Sequence, residues 1–546
     1  MEDVTESAAP DVVHAVKDVV PVYRPFDPQR AETTLLAALL RARRRRGGGF
    51  AVIEDADGRT LTYDEVVRAV YALGSALSRL ARRRETVGVM MPTGAPGAIA
   101  VLALSAYGRI PAMLNFTAGA RNLKAACALA GIRTIVTARA FIERAGLEMV
   151  ASALAEQAML VHLEDVREGL GLRNKAMALV GAYAPGLIRG ARDPRETAVV
   201  LFTSGTEGAP KGVALSHRAI VANVEQVLAH VPELVDADVI FNPLPIFHSF
   251  GLTAGTMLPL LGGLKAALHP TPLTPKEIAR RIQETGATIL LGTDTFVSQY
   301  ARAGEEGALS GLRFAVCGAE RVRDETRALV RRKHGVLLLE GYGVTEAAPV
   351  LSVNLPTDNR PGTVGRLLPG IEYRLEPVEG IPGAGRLFVR GPNMMSGYLE
   401  PGGTVVPLPE GWHDTGDVVS VGADGYVRIR GRLRRFAKIG GEMVSLDVVE
   451  NCAYSLWPDH MHAAAAVSHE RKGEQIVLFT NCPDCNRADL VAFIQNHAVP
   501  ELATPRKIFL VDSIPTLGTG KTDYAAVQRL AETDAAVADG GGGASS

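Results

Sequence analysis

Apolar and polar positions along this 546-residue chain follow two rhythms. The first fills most of the chain. "TVGVMM", "RIPAMLN", "RTIVTA" and "MLVHL", then "ADVIFNPLP", "ATILLG", "LRFAVCG" and "VLLLEGYG", are short apolar runs ending in Gly, Pro or polar residues. Helical stretches separate several of them. Strands that are apolar on both faces and alternate with helices predict α/β layers with mostly parallel sheets. "ADGRTLTYDEVVRAVYALGSALSRL" predicts a turn, a short strand, a cap at Thr62 and an amphipathic helix. The second rhythm begins after about Gly365. "IEYRLEPVEG", "GRLFVRGPNMMSGYL" and "GYVRIRGRLRR" alternate apolar with polar residues and predict antiparallel strands.

Punctuation divides the chain. Residues 1–30 carry little periodicity and read as an irregular arm, and 31–431 hold the two rhythms. A compact mixed unit follows over 432–530, and 531–546 end in the flexible "ADGGGGASS". Two uncharged stretches, Thr86 to Gly108 and Phe241 to Leu264, are long enough to question as membrane spans. The first is broken by "MPTGAPGA" and the second by Pro243, Pro245 and Pro259, so both read as buried core.

Composition narrows the function. Formal net charge is -1, so no bulk field draws the chain to nucleic acid or to a membrane. No apolar leader is visible, and Cys127, Cys317, Cys452, Cys482 and Cys485 are scattered and odd in number. A reduced, cytoplasmic setting with at most peripheral contact at an inner membrane is expected.

Three stretches carry chemistry. "LFTSGTEGAPKGVALSH" follows the apolar "TAVVLF". Its backbone N–H groups, the hydroxyls of Thr203, Ser204 and Thr206, and Lys211 are suited to phosphate oxygens. The spacing is not that of a Walker A loop. "GYGVTE" offers the ring of Tyr342, the hydroxyl of Thr345 and the carboxylate of Glu346, fit for a base, a phosphate and Mg²⁺. "GWHDTGD" places Asp417 in an expected tight turn, suited to ribose hydroxyls. Cys482-Pro-Asp-Cys485, near His460 and His462, lacks a second pair at metal-site spacing and reads as a solvent loop.

In this order, with "PIFHSFG", "GRLRR" and "GTGK", these stretches resemble the adenylate-forming superfamily of acyl-CoA synthetases, adenylation domains and luciferases over residues 50 to 525. The resemblance implies an α/β fold: a large N-terminal domain of parallel α/β layers plus a distorted β-barrel, and a small mobile α+β C-terminal domain. It implies two half-reactions. ATP and a carboxylate give acyl-AMP and pyrophosphate, and a thiol then takes the acyl group. Carried over by residue, it assigns the phosphate loop to Thr203, Ser204, Gly205, Thr206, Glu207, Gly208 and Lys211. It sets His248 beside the acyl pocket, and Gly318, Ala319 and Glu320 along the adenine and acyl sites. Gly341, Tyr342, Gly343 and Thr345 take adenine and phosphate, Glu346 takes Mg²⁺, and Asp417 and Arg432 take the ribose. Lys521 is the mobile lysine of the small domain. The implied catalytic residues are Lys521, Thr203, Glu346 and His248, with ATP and Mg²⁺ as cofactors.

A finer resemblance runs through "NFTAG", "RFAKIGGEMVS" and "VPELATPRKI" to the acyl-carrier-protein synthetase half of the bacterial bifunctional 2-acylglycerophosphoethanolamine acyltransferase. It implies a long-chain fatty acid as substrate and acyl carrier protein as acceptor. No His-x-x-x-x-Asp motif is found, so the lysolipid transfer half is expected to be absent. Arg435 stands where most members of the superfamily have an acidic hinge residue. Arg428, Arg430, Arg432, Arg434 and Arg435 offer an acidic carrier a landing patch, with solvated arginines as the plainer reading. An acyl-CoA ligase using free CoA, a silent acyl- or nucleotide-binding protein on the same fold, and an amino-acid adenylation domain are the alternatives. The last would need an acidic anchor that "VIFNPLPIF" lacks.

Overall fold

The computed structural model describes residues 20–185, 193–204, 209–439, 442–469, 473–497, 499–516 and 522–540. Two large sheets carry the first rhythm. In one, parallel strands Thr197–Ser204, Ile110–Met113, Thr86–Val89, Thr134–Thr137 and Met159–His162 lie side by side. Pro210–Ser216, Gly397–Leu399 and Val405–Val406 extend it with antiparallel pairs. In the other, Leu337–Gly343, Phe314–Cys317, Ile289–Gly292, Val239–Asn242, Lys265–Leu268 and Ala51–Glu54 form the parallel body. The apolar runs read from sequence are these strands.

Between the layers lies the helix Ala95–Ala106. "APGAIAVLALSA" has no charge and no polar face, and every residue but Pro96 is buried. A helix that is apolar all round belongs inside a protein. Just before it, the Thr93 hydroxyl donates to the Leu244 carbonyl at 2.7 Å and accepts from the Ile246 N–H at 2.8 Å. Both uncharged stretches are therefore core, as their prolines and glycines implied. No helix among the described residues is long and apolar enough to cross a membrane. Thr62 caps the helix Tyr63–Leu77, completing a capping box with Glu65.

The second rhythm becomes a four-stranded antiparallel sheet, Glu372–Pro377, Gly385–Arg390, His413–Val421 and Val427–Arg432. It folds against the strand Arg366–Leu367 through paired backbone bonds between 364–365 and Val427. From Phe436 onward a five-stranded sheet and the helices Leu446–Leu456, Arg487–Asn496 and Tyr524–Gly540 build separate apolar cores.

The helix His217–His230 ties the layers together. Asn223 exchanges two hydrogen bonds with the backbone of Val350, and Gln226 donates to the Pro369 carbonyl. At its start His217 Nδ1 accepts from the Leu35 N–H at 3.2 Å. Burial lowers the pKa of this imidazole from 6.5 to about 4. Between those values the unfolded chain binds a proton that the folded chain refuses. This contribution to stability is therefore complete above about pH 6.5 and is lost as pH falls through 4. At 1.36 kcal/mol per pKa unit it is worth about 3 kcal/mol. His217→Asn, which keeps an acceptor but cannot titrate, should flatten that part of the pH dependence in denaturant melts.

Candidate active site

The strand Thr197–Ser204 turns back into Pro210–Ser216, with Thr203 opposite Lys211. The glycine-rich stretch thus joins the strands of a hairpin. Gly205, Thr206, Glu207 and Gly208 lie outside the described residues, as does the side chain of Ser204. Thr203 and Lys211 both line a cavity of about 1180 Å³.

Across the cavity, Leu337–Gly343 outruns the parallel sheet and pairs antiparallel with Val350–Val353. This approach needs a glycine at 343. A Cβ there would stand 2.2 Å from the Pro349 carbonyl oxygen. The short turn Thr345–Ala347 follows and delivers Glu346. Tyr398 donates to Glu346 Oε1 at 2.7 Å, and Lys211 Nζ lies 5.5 Å from the centre of the same tyrosine ring. Tyr398, which the sequence reading passed over, therefore links the candidate phosphate lysine to the candidate cation ligand. The Thr345 hydroxyl is 3.3 Å from that of Ser249.

Asp417 sits in the strand His413–Val421, not in the tight turn expected of "GWHDTGD". The local irregularity is Gly416, at φ 70°. Asp417 is 3% exposed. Tyr342 donates its hydroxyl to Oδ2, and Arg432 donates Nε to Oδ1 at 3.1 Å. Burial pushes the Asp417 pKa up, and Arg432 and Tyr342 oppose that shift. Two acceptor sites are thereby used, and a carboxylate has about four. Arg432 remains exposed along its side chain and lines the cavity.

Gly318 and Ala319 line the cavity at the end of the strand Phe314–Cys317, Ala319 at φ 71°. Glu320 is not part of the lining and accepts from the Thr295 N–H at 3.1 Å. His248 lines the cavity beside Phe247, at 4.7 Å between ring centres. The same cavity is also lined by the apolar side chains of Leu244, Val227, Val316, Val231 and Val353. One wall is the π-helix Phe250–Met257. Asn242 inserts into it, donating to the Gly251 carbonyl at 3.0 Å and to the Thr256 hydroxyl at 3.3 Å. A Cβ on Gly255 would lie 2.2 Å from the Asn242 amide, so glycine is required there.

The C-terminal unit reaches the same cavity through Thr516 and Asp523. Lys521, between them in sequence, lies outside the described residues. Arg302 pairs with Asp459 at 3.4 Å, and the Arg323 guanidinium lies 5.2 Å from the Tyr454 ring centre. Both contacts join this unit to the body.

One further sequence reading needs correction. Arg435 is not a surface landing charge. Its side chain is 11% exposed and donates to Glu450 at 2.6 Å, to Asp447 and to the Ala464 carbonyl, with its guanidinium 3.6 Å from the centre of the Tyr524 ring. Cys482-Pro-Asp-Cys485 is a loop with Pro483 and Asp484 exposed, as read from sequence, though the Cys482 side chain turns inward at 3% exposure and His462 bonds the Trp457 carbonyl. No group of three or more His, Cys, Asp or Glu side chains that could hold a metal occurs among the described residues.

Comparison with known proteins adds the family. The AMP-binding enzyme profile matches residues 40–399. The medium-chain fatty-acid–CoA ligase of Escherichia coli K12 is 32% identical over 340 residues, 60% of each chain. The 4-coumarate–CoA ligase of Pinus taeda is 26% identical over 501 residues, 86% of this chain and 90% of that one. The match thus spans only about 60% of the length of the fatty-acid–CoA ligases. ATP-bound MatB from Rhodopseudomonas palustris superposes with a TM-score of 0.77 at 23% identity, covering 92% of this chain and 99% of that one. The anthranilate–CoA ligase AuaEII gives 0.77 at 20%, covering 95% and 99%. Likeness at that identity establishes the fold, with its large body and smaller C-terminal domain.

Proposed function

Because the chain belongs to the AMP-binding enzyme family, we propose that it activates a fatty acid with ATP and passes the acyl group to a thiol. One observation carries this reading: a single cavity is lined both by polar side chains, Thr203, Lys211, Thr345, Glu346 and Arg432 among them, and by apolar ones, including Leu244, Val227, Val231, Val316 and Val353. An amphipathic acid with a long apolar tail suits that lining.

The proposed chemistry needs no side-chain nucleophile. A carboxylate oxygen attacks the α-phosphorus, the acyl-oxygen-to-phosphorus bond forms, and the bond to pyrophosphate breaks. In the second step a thiol attacks the acyl carbon, loses its proton and releases AMP. Charge gathers on phosphate oxygens in the first step, and the side chains facing it are Thr203, Lys211 and Thr345. Asp417, held by Arg432 and Tyr342, keeps acceptor capacity for ribose hydroxyls. Glu346 suits Mg²⁺, which takes one or two protein carboxylates and completes its shell with phosphate oxygens and water. There it would neutralise charge on the departing pyrophosphate. Lys521 is proposed as the lysine that the C-terminal unit brings to the α-phosphate and carboxylate.

Free CoA is the acceptor that the relatives support, since the fatty-acid ligases among them are CoA ligases. A carrier protein is the second reading. Arg434 favours it, being exposed on the cavity rim with Arg428 and Arg430 exposed nearby. The test is exchange of labelled pyrophosphate into ATP. It should appear with Mg²⁺ and a medium- or long-chain fatty acid, and then thioester formation with CoA and with holo-carrier protein should be compared. If no fatty acid supports exchange, the ligase reading fails. If holo-carrier protein is used faster than CoA, the acceptor is reassigned.

A further inference from the structure

The helix Leu172–Tyr183, "LRNKAMALVGAY", is turned the wrong way for a surface helix. Its inner face is small and polar. Gly181 lies flat on the ring of Tyr71, Asn174 donates to the Ser75 hydroxyl at 3.1 Å, and the Ala182 carbonyl accepts from Arg43. Apart from Met177, which packs against the core, its larger apolar residues face out. Leu172 is 85% exposed, Leu179 54%, Val180 38% and Tyr183 78%. With exposed Ala176 they recur at i, i+4, i+7, i+8 and i+11. That spacing makes one continuous stripe along a helix. Single exposed leucines are ordinary; a stripe of this kind marks a surface that meets something.

Charge says what it meets. Arg173 and Lys175 are both exposed and flank the stripe on opposite sides, and the helix carries no acid. The nearest acid in sequence is the exposed Glu168, four residues before Leu172 at the end of the preceding helix Leu163–Glu168; Asp165 of that helix is paired with Arg139. The whole chain has a net charge of -1, so this cationic border is local. An apolar stripe bordered by cations, with a tyrosine at one end, matches the boundary between acyl chains and anionic headgroups.

We propose that the outer face of Leu172–Tyr183 is a membrane-docking surface that seats the protein on a bilayer containing anionic lipid. The apolar stripe enters the headgroup layer, and Arg173 and Lys175 meet lipid phosphates. This surface stands independently of the ligase reading, and its test needs no activity.

The experiment is co-sedimentation of the full chain with vesicles of phosphatidylcholine alone, or with about one third phosphatidylglycerol. Wild type should pellet with the anionic vesicles, less so at high salt. Leu172→Asp/Leu179→Asp should weaken that binding by about tenfold or more. Arg173→Glu/Lys175→Glu should abolish the preference for phosphatidylglycerol. All four side chains are exposed, so both variants should melt with wild type. Wild type remaining in the supernatant with both vesicle types would overturn the proposal, as would variants that bind like wild type. A wild-type dimer, without lipid affinity, that Leu172→Asp/Leu179→Asp dissociates would assign the face to a second copy of this chain and overturn it too.

Discussion

Glu346→Gln is expected to lower fatty-acid-dependent pyrophosphate exchange by about a hundredfold or more, at an unchanged melting temperature. The substitution keeps the shape and keeps an acceptor for Tyr398, whose hydroxyl lies 2.7 Å from Oε1. What disappears is the negative charge proposed to hold Mg²⁺. Preorganised charge opposite a developing phosphate charge is worth about 3 kcal/mol or more, which sets the size of the loss. Tyr398→Phe removes the hydrogen bond and leaves the charge, and should cost about 1 kcal/mol, or some fivefold. Measuring exchange against Mg²⁺ concentration separates two roles. A cation ligand predicts that added Mg²⁺ recovers part of the Glu346→Gln activity. A carboxylate that only braces Tyr398 predicts little loss in Glu346→Gln, which keeps that acceptor, a larger loss in Tyr398→Phe, and no response to added Mg²⁺.

Arg435→Glu and Arg434→Glu, adjacent in sequence, should behave in opposite ways. Arg435 is nearly enclosed and serves Glu450, Asp447 and the Ala464 carbonyl at once, while Tyr524 also donates to Glu450 at 3.0 Å. Reversal strands Glu450 without its cation and adds a third carboxylate. Breaking a buried pair by removing one partner costs about 3–5 kcal/mol, a large share of the stability of a unit of this size. Arg435→Glu should expose amides of the strands Phe436–Ile439 and His462–His469 to rapid hydrogen exchange. Strands of the body such as Thr86–Val89 should stay protected. Arg434 is exposed, so its reversal should shift stability by no more than about 0.5 kcal/mol. Protected C-terminal strands in Arg435→Glu would show that the ion-pair cluster is dispensable.

These two arginines mark the limit of what the sequence could tell. Runs such as "ATILLG" and "LRFAVCG" predicted buried strands because burial on both faces leaves a continuous apolar signature. The Thr62 cap was legible because a capping box is local. "GRLRR", by contrast, carries three arginines, and nothing local distinguishes a guanidinium aimed at solvent from one aimed at Glu450, fifteen residues on. Tyr398 was missed for the same reason. Its partners, Glu346 and Lys211, belong to distant stretches, and only the pairing of Gly397–Leu399 with Pro210–Ser216 brings them together. Asp417 was singled out by its motif, but its backbone is strand rather than turn, and it lies behind the cavity lining, held by Tyr342 and Arg432. The apolar part of the cavity lining had no sequence signal of its own, since Val227 and Val231 look like ordinary core positions in and just after an amphipathic helix.

The uncharged helix Ala95–Ala106 also bears on how this protein is made. Thr93, at its threshold, is satisfied only by Leu244 and Ile246, about 150 residues later. At translation speeds of about 5–20 residues per second, the nascent chain carries this greasy segment for roughly 10–30 s before its partners leave the ribosome. Half of the large body cannot mature alone, because one wall of its interior has yet to be synthesised. During that interval the segment is a natural client for a chaperone. Expression yield should therefore respond to growth temperature and chaperone supply more sharply than the stability of the finished protein would suggest.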